Sequence, residues 1–167
     1  PAHDPFLLGD MAKAVDTIRA AIAAGKRICV HGDYDVDGIC ATALAVLTLR
    51  ELGAEVEWHL PSRFEEGYGI AGQTLTRLAA EGCGLVLTVD CGITAVAEVA
   101  EAKAAGLDVI VTDHHRPGDD LPDCPVIFLT GRATIDAAVA AIREGAYDFI
   151  EKPVDPARLK VCIDRAL

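Results

Sequence analysis

A chain of 167 residues with 51% apolar composition is one domain of ordinary size, long enough to bury a core. Its net charge of −11 works against autonomous nucleic-acid binding, because polyanion affinity comes largely from Lys and Arg neutralising phosphates, and aromatics at 5% are too few for a base-stacking platform. No apolar run approaches a membrane span, and PAHDPFLLGD lacks the charged-then-apolar order of a secretory leader, so a cytoplasmic location with no membrane partner is expected.

Met11, Val15, Ile18 and Ile22 recur at helical spacing before Gly25, which predicts an amphipathic helix over 10–24. RICV (27–30) then reads as a buried strand, and HGDYDVDG (31–38) as the loop that hands it over to a helix ending at Gly53. That helix is apolar nearly all round (Ile39, Leu44, Val46, Leu47), so it should lie between a sheet and a second layer. EVEWHL (55–60) alternates like a half-exposed edge strand. PSRFEEGYGI follows as a long loop with Arg63 as its clear cation, and a loop of that size is more often functional than idle.

A helix carrying Leu75, Leu78 and Ala79 stops at Gly82, and GLVLTVD (84–90) is a continuous apolar run closing on Asp90. Helix 94–105 leads to DVIVT (108–112) and then Asp113-His114-His115. RPGDDLPDC (116–124) is a surface loop, PVIFLT (125–130) another buried strand, 134–145 a helix, YDFIE (147–151) a strand and 156–167 a last helix with Pro156 at its first position. Strands alternating with helices predict an α/β fold. It should be a doubly wound, Rossmann- or flavodoxin-like, mostly parallel sheet of about six strands with helices on both faces. The six cysteines (29, 40, 83, 91, 124, 162) sit mostly in apolar patterns without CxxC, which argues for buried, reduced thiols.

Polar clusters stand at three strand ends, and in an open parallel sheet all such ends lie on one edge, where ligands bind. In the first, Asp33, Asp35 and Asp37 alternate beside His31, whereas a helix N-terminus wants at most one of them as a cap. So many anions need a cation, and imidazole with carboxylates suits Mn²⁺ or Mg²⁺ better than a thiolate-preferring ion. Taken singly, each residue has an ordinary alternative: Asp90 as a cap for a helix beginning near Thr94, His114 or His115 as a surface histidine. Their conjunction is what points to a site.

HGDYDVDG, SRFEEGYGI, LTVDCGIT and VTDHHRPG, in this order and spacing, resemble the first four landmarks of RecJ-type single-stranded-DNA exonucleases in the DHH phosphoesterase superfamily. The resemblance runs from about Pro5 to about Pro125, and EGYG favours RecJ over the pyrophosphatase branch. It implies a two-manganese site for phosphodiester hydrolysis on single-stranded DNA or nucleotides. His31 or Asp33 with Asp35 would hold one ion, Asp37 and His114 the other, and Asp90 would bridge. His115, with Arg63, would contact phosphate, and Asp37, Asp90 and His115 would be the catalytic group.

The family's continuation after its DHH motif, with a further metal-binding aspartate and a second domain, has no counterpart here. Instead, PVIFLTGRATIDAAVAAIREGAYDFIEKPVDPARL resembles the C-terminal third of an NtrC-like response-regulator receiver, with Thr130 as the switch threonine and Lys152 as the phosphate-binding lysine. Residues 1–124 and 125–167 are thus expected to be pieces of two families spliced into one sheet, an engineered chimera, and Asp113 faintly mimics a phosphoacceptor turn.

Three functions follow. The first is a chimeric domain with a residual, incompletely filled metal site and little or no catalysis. The second is a working metal-dependent phosphoesterase on nucleotides or short oligonucleotides, and the third a receiver-like phosphate-binding module. Burial of Ile127, Leu129, Phe149 and Ile150 requires the tail to join a sheet, either its own, as a monomer, or a second chain's, as a swapped homodimer hinged at 116–124.

Overall fold

Alternation along the strands dictates the layers of the computed structural model, which describes residues 4–62 and 69–128. Five strands, β1 (Arg27–His31), β2 (Val56–His59), β3 (Cys83–Val89), β4 (Asp108–Asp113) and β5 (Val126–Phe128), form one sheet in the order β2-β1-β3-β4-β5. Every neighbouring pair is parallel. Ile28, Val30, Leu85, Leu87, Val89, Ile110 and Ile127 share one core with α1 (Met11–Ala23) and α2 (Val36–Glu51). Cys29, Val86, Val109 and Val111 share the other with α3 (Gly72–Ala80) and α4 (Val96–Ala104). Both faces of the sheet are covered, so its central strands are apolar on both sides and read as continuous runs.

After α1 the chain enters the sheet at β1, one strand in from the edge. It moves outward through α2 to β2, then crosses through α3 to β3 on the other side and onward through α4 to β4. The reversal falls between β1 and β3, and at such a switch point the loops leaving the two strands part and open a crevice at their carboxyl ends. α1 packs close because its buried positions, Ala14 and Ala21, are small. Asp10, just before it, accepts a hydrogen bond from the backbone N–H of Val126 at 3.2 Å, tying the start of the chain to the edge strand β5.

The elements predicted within the described residues are present with ends shifted by up to three residues, and a short 3-10 turn at Pro5–Leu7 was not foreseen. β2 is the sheet edge, as its pattern suggested, with Trp58 59% exposed. α2 departs from expectation. Thr42, Val46 and Leu49 face the sheet, but Val36, Ile39, Leu44 and Leu47 are exposed, so among the described residues it has no second layer. Cys40, on the same helix, is exposed, against the expectation of buried thiols; Cys29, Cys83 and Cys91 are buried and free. The strand YDFIE, the helices 134–145 and 156–167 and Cys162 lie outside the described residues. Among the described residues no helix is long and apolar enough to cross a membrane.

Burial pushes the Cys29 thiol up to about 12 and that of Cys124 up to about 11, and raises Cys83 as well. A raised folded-state value means that stability is full below the unfolded value near 9 and falls as pH rises from there toward the folded values. Chemical denaturation between pH 8 and pH 11 should therefore show a decline that Cys29→Ala lessens, by at most about 1.4 kcal/mol per pH unit for one proton.

Candidate metal centre

β1 ends in His31, wholly buried, and Gly32 and Asp33 follow before the chain turns into α2. The turn is tight because Gly38 sits directly against it: a Cβ there would lie 2.5 to 2.7 Å from the backbone O, N and Cα of Asp33. Of the three alternating carboxylates, one is the helix cap. Asp35 accepts from the Gly38 N–H at 2.9 Å, leaving Asp33 and Asp37 for other work. Asp37 stands exposed in the first turn of α2. Asp33 is 2% exposed, and its Oδ1 has no hydrogen-bond partner among the described residues. A buried carboxylate oxygen left so is costly unless something positive meets it.

Asp90 directly follows β3; its backbone adopts the left-handed region (φ 64°) and its N–H donates to the Thr112 carbonyl at 3.0 Å. It is not a helix cap, since α4 begins at Val96 after Ala95. Its carboxylate Oδ1 instead lies 2.8 Å from His114 Nε2. Asp90, His114 and His115 each offer a ligand atom within 4.8 Å of the others, the group of this kind found among the described residues.

The two histidines are placed by Asp113, the last residue of β4. Asp113 is 3% exposed, and its Oδ1 accepts from the backbone N–H of His114 (2.6 Å) and of His115 (3.0 Å) and pairs with His115 Nδ1 (2.8 Å). Its Oδ2 accepts from the Ile93 N–H at 3.0 Å, so one carboxylate fastens the loop after β4 to the loop after β3. Cys91 is buried between these groups, with Sγ 3.7 Å from His31 Nδ1. Its thiol is pushed up by burial first, then by the carboxylates of Asp113, Asp33 and Asp90. His59, at the end of β2, stacks obliquely on His31 with ring centroids 5.1 Å apart.

Beside His115 a cleft of about 230 Å³ opens between Ile70, the Gly92–Thr94 turn and Arg116. Arg116 puts a cation at the mouth of an otherwise acidic edge. Arg63, Thr130 and Lys152 lie outside the described residues. The expected residues His31, Asp33, Asp35, Asp37, Asp90, His114 and His115 all stand at the carboxyl edge of β1, β3 and β4. The tightest grouping comprises only Asp90 and the histidine pair. Carboxylates and imidazoles at a buried edge, with an Asp33 oxygen that has no partner among the described residues, fit a hard or borderline divalent cation.

The sequence matches the model of the DHH family, N-terminal domain, over residues 27–161. The chain belongs to the DHH family. It is 46% identical over 125 residues to the single-stranded-DNA-specific exonuclease RecJ of Bacillus subtilis (strain 168), a match covering 75% of this chain and 16% of that relative. A crystal structure of exonuclease RecJ bound to manganese superposes with a TM-score of 0.68 at 45% identity, covering 72% of this chain and 31% of the other. The chain thus spans less than a third of these relatives' length. The nitrogen assimilation regulatory protein NtrX of Azorhizobium caulinodans matches at 48% identity over 61 residues, 36% of this chain and 12% of NtrX. The NtrX and B. subtilis matches together exceed the length of the DHH chain, so the two resemblances share residues instead of meeting at a clean boundary near 125.

Sequence reasoning passed over Asp113 as a site residue. The available signal was local: an aspartate directly before two residues whose N–H groups turn back on it is the arrangement of an Asx turn. Asp113→Ala should leave the Ile93 N–H buried and unanswered and cost about 3 kcal/mol in denaturant midpoint experiments, since hydrogen bonds to a charged group contribute about 1.5–3 kcal/mol. Gly38→Ala should displace Asp33 and weaken divalent-cation binding at least about tenfold, measured by calorimetry on a variant that melts cooperatively.

Proposed function

We propose that this DHH domain is a divalent-cation-dependent phosphoesterase of the RecJ kind, taking Mn²⁺ or Mg²⁺ between the β1 loop and Asp90–His114 and acting on single-stranded DNA or nucleotides. The observation that carries the reading is the Asp90–His114 pair at 2.8 Å, on the sheet edge where buried Asp33 keeps an oxygen without a partner among the described residues. His31, Asp33 and Asp35 are the proposed ligands on one side, Asp37 and His114 on the other, with Asp90 between. When bound, such ions supply Lewis-acid polarisation of a phosphoryl oxygen and an acidified water.

The protein's own part is positioning. His115, held by Asp113 through Nδ1, presents its ring to the cleft, where a phosphate would meet it and the Arg116 guanidinium. Net charge is −11, so affinity for a polyanion has to come from these few groups and from the cations themselves.

The 167-residue polypeptide is proposed to turn over slowly, because it spans 16% of its B. subtilis relative and alignment of a strand by surrounding protein contributes a large share of catalysis. Residues 125–167 are proposed to derive from a receiver and to continue the same sheet, a reading supported by the parallel pairing of β5 with β4 and by the NtrX match. Receiver chemistry itself has less support, since both oxygens of Asp113 are engaged by four donors and its carboxylate is buried.

End-labelled single-stranded DNA incubated with the polypeptide and Mn²⁺ should be degraded well below about 1 s⁻¹, the low end of ordinary enzyme rates, and not at all after Asp90→Ala. Degradation at ordinary rates would overturn the weak-turnover reading. Degradation indifferent to Asp90→Ala would overturn the site.

A further inference from the structure

We infer that the β2 edge of the sheet, with α2 above it, is a two-fold interface on which a second copy of this chain docks, β2 against β2 and α2 against α2. The inference does not rest on the phosphoesterase reading. Val36, Ile39, Cys40, Ala43, Leu44 and Leu47 are exposed and recur at helical spacing on one side of α2, and from Gly38 to Leu49 the helix carries no charge. An exposed helix face is ordinarily polar, so a stripe of this kind marks a surface that another surface covers. Arg50 donates to the Val56 carbonyl at 3.3 Å, and Leu47, Ala43, Ile39 and Val36 precede it in the same column, so the stripe overhangs β2. Trp58, 59% exposed, points to the same side of the sheet, since its register partner Val30 lies in the core that α2 covers.

Self-complementarity identifies the occupant. β2 pairs on one side with β1 and on the other with no strand among the described residues. The carbonyls of Glu55 and His59 accept from the N–H groups of Ile28 (2.9 Å) and Gly32 (3.0 Å), so the backbone groups of the alternate residues Val56 and Trp58 face outward. VEWH carries neither Lys nor Pro, the usual guards of an open edge. Antiparallel pairing of two such edges about a two-fold axis at Trp58 lets that residue exchange both backbone hydrogen bonds with the partner's Trp58, and it sets Glu57 opposite the partner's His59. Moving the axis to Val56 would set Glu55 opposite the partner's Glu57, and like charges directly opposite are destabilising.

The same axis brings the helices together. α2 packs over β1 and β2, and with strands about 4.8 Å apart it would lie roughly 10 Å from its mate, within the range of packed helix axes. A stable pair of proteins covers about 800 Å² and about 20–30 residues on each side, more than β2 or the stripe of α2 supplies alone, so both elements are required. Phe128, where the described chain ends, lies in β5 at the opposite edge, about 19 Å from β2 at the usual strand spacing. Residues 129–167 therefore have the β5 side to extend, and the β2 side is left for a second molecule. With the axis normal to the sheet, the two carboxyl edges open in opposite directions and both stay accessible.

Sedimentation velocity on the 167-residue chain tests the interface, with the fluorescence of Trp58, the chain's single tryptophan, as a second readout. Expected is a dimer that dissociates on dilution, its emission moving to longer wavelength as Trp58 returns to water. Leu47→Glu and Trp58→Lys change exposed positions, and each variant is first checked for a cooperative melt. Each should weaken the dimer at least about tenfold, as loss of a central anchor does. Gln73→Glu, exposed on α3 across the sheet, should leave it unchanged. A chain that stays monomeric at every concentration, a dimer as tight in both interface variants as in the parent, or one weakened equally by Gln73→Glu would overturn the inference.

Discussion

The carboxylate of Asp113 is the interaction on which the carboxyl edge depends. Four donors converge on its two oxygens, three of them backbone N–H groups from two different loops. Buried at 3% exposure, it is accommodated there because each oxygen accepts at least one hydrogen bond. The consequence is geometric: the loop after β4 is held in the course that sets His114 against Asp90 and His115 beside the cleft.

The sheet makes the clamp useful. Reversal of strand order between β1 and β3 brings the loop carrying His31 and Asp33 beside the one carrying Asp90, and β4 lies next along. Cys91 records the crowding, since its thiol is disfavoured from ionising by burial and then by three separate aspartates. Asp33, Asp90 and Asp113 are thereby gathered as buried polar side chains at this edge, an arrangement that costs stability where such groups are left without partners.

Much of this was legible in the residues. RICV, GLVLTVD and DVIVT are strands buried on both faces, and a run of that kind between helical patterns has few other solutions than a parallel sheet. The polar residues at their ends were legible for the same reason, because alternation of strand and helix sends every carboxyl end to one side. Asp113 was harder to see. A carboxylate that works by accepting backbone N–H groups looks in sequence like any strand-terminal aspartate, and its partners, Ile93 among them, are twenty residues away. α2 misled in the opposite sense: an all-round apolar composition implied a covering layer, yet Val36 and Leu47 are exposed among the described residues. Composition reports what a helix can bury, not what is present to bury it.

The central proposal is that Asp90, with the β1 loop, binds a divalent cation at this edge. The most direct measurement is a Mn²⁺ titration followed by electron paramagnetic resonance, in which the six-line signal of the free ion is lost on binding. The account predicts a saturable loss of signal by the 167-residue chain that Asp90→Ala weakens at least about tenfold. Full free-ion signal at every protein concentration, or the same binding by the Asp90→Ala variant, would contradict it.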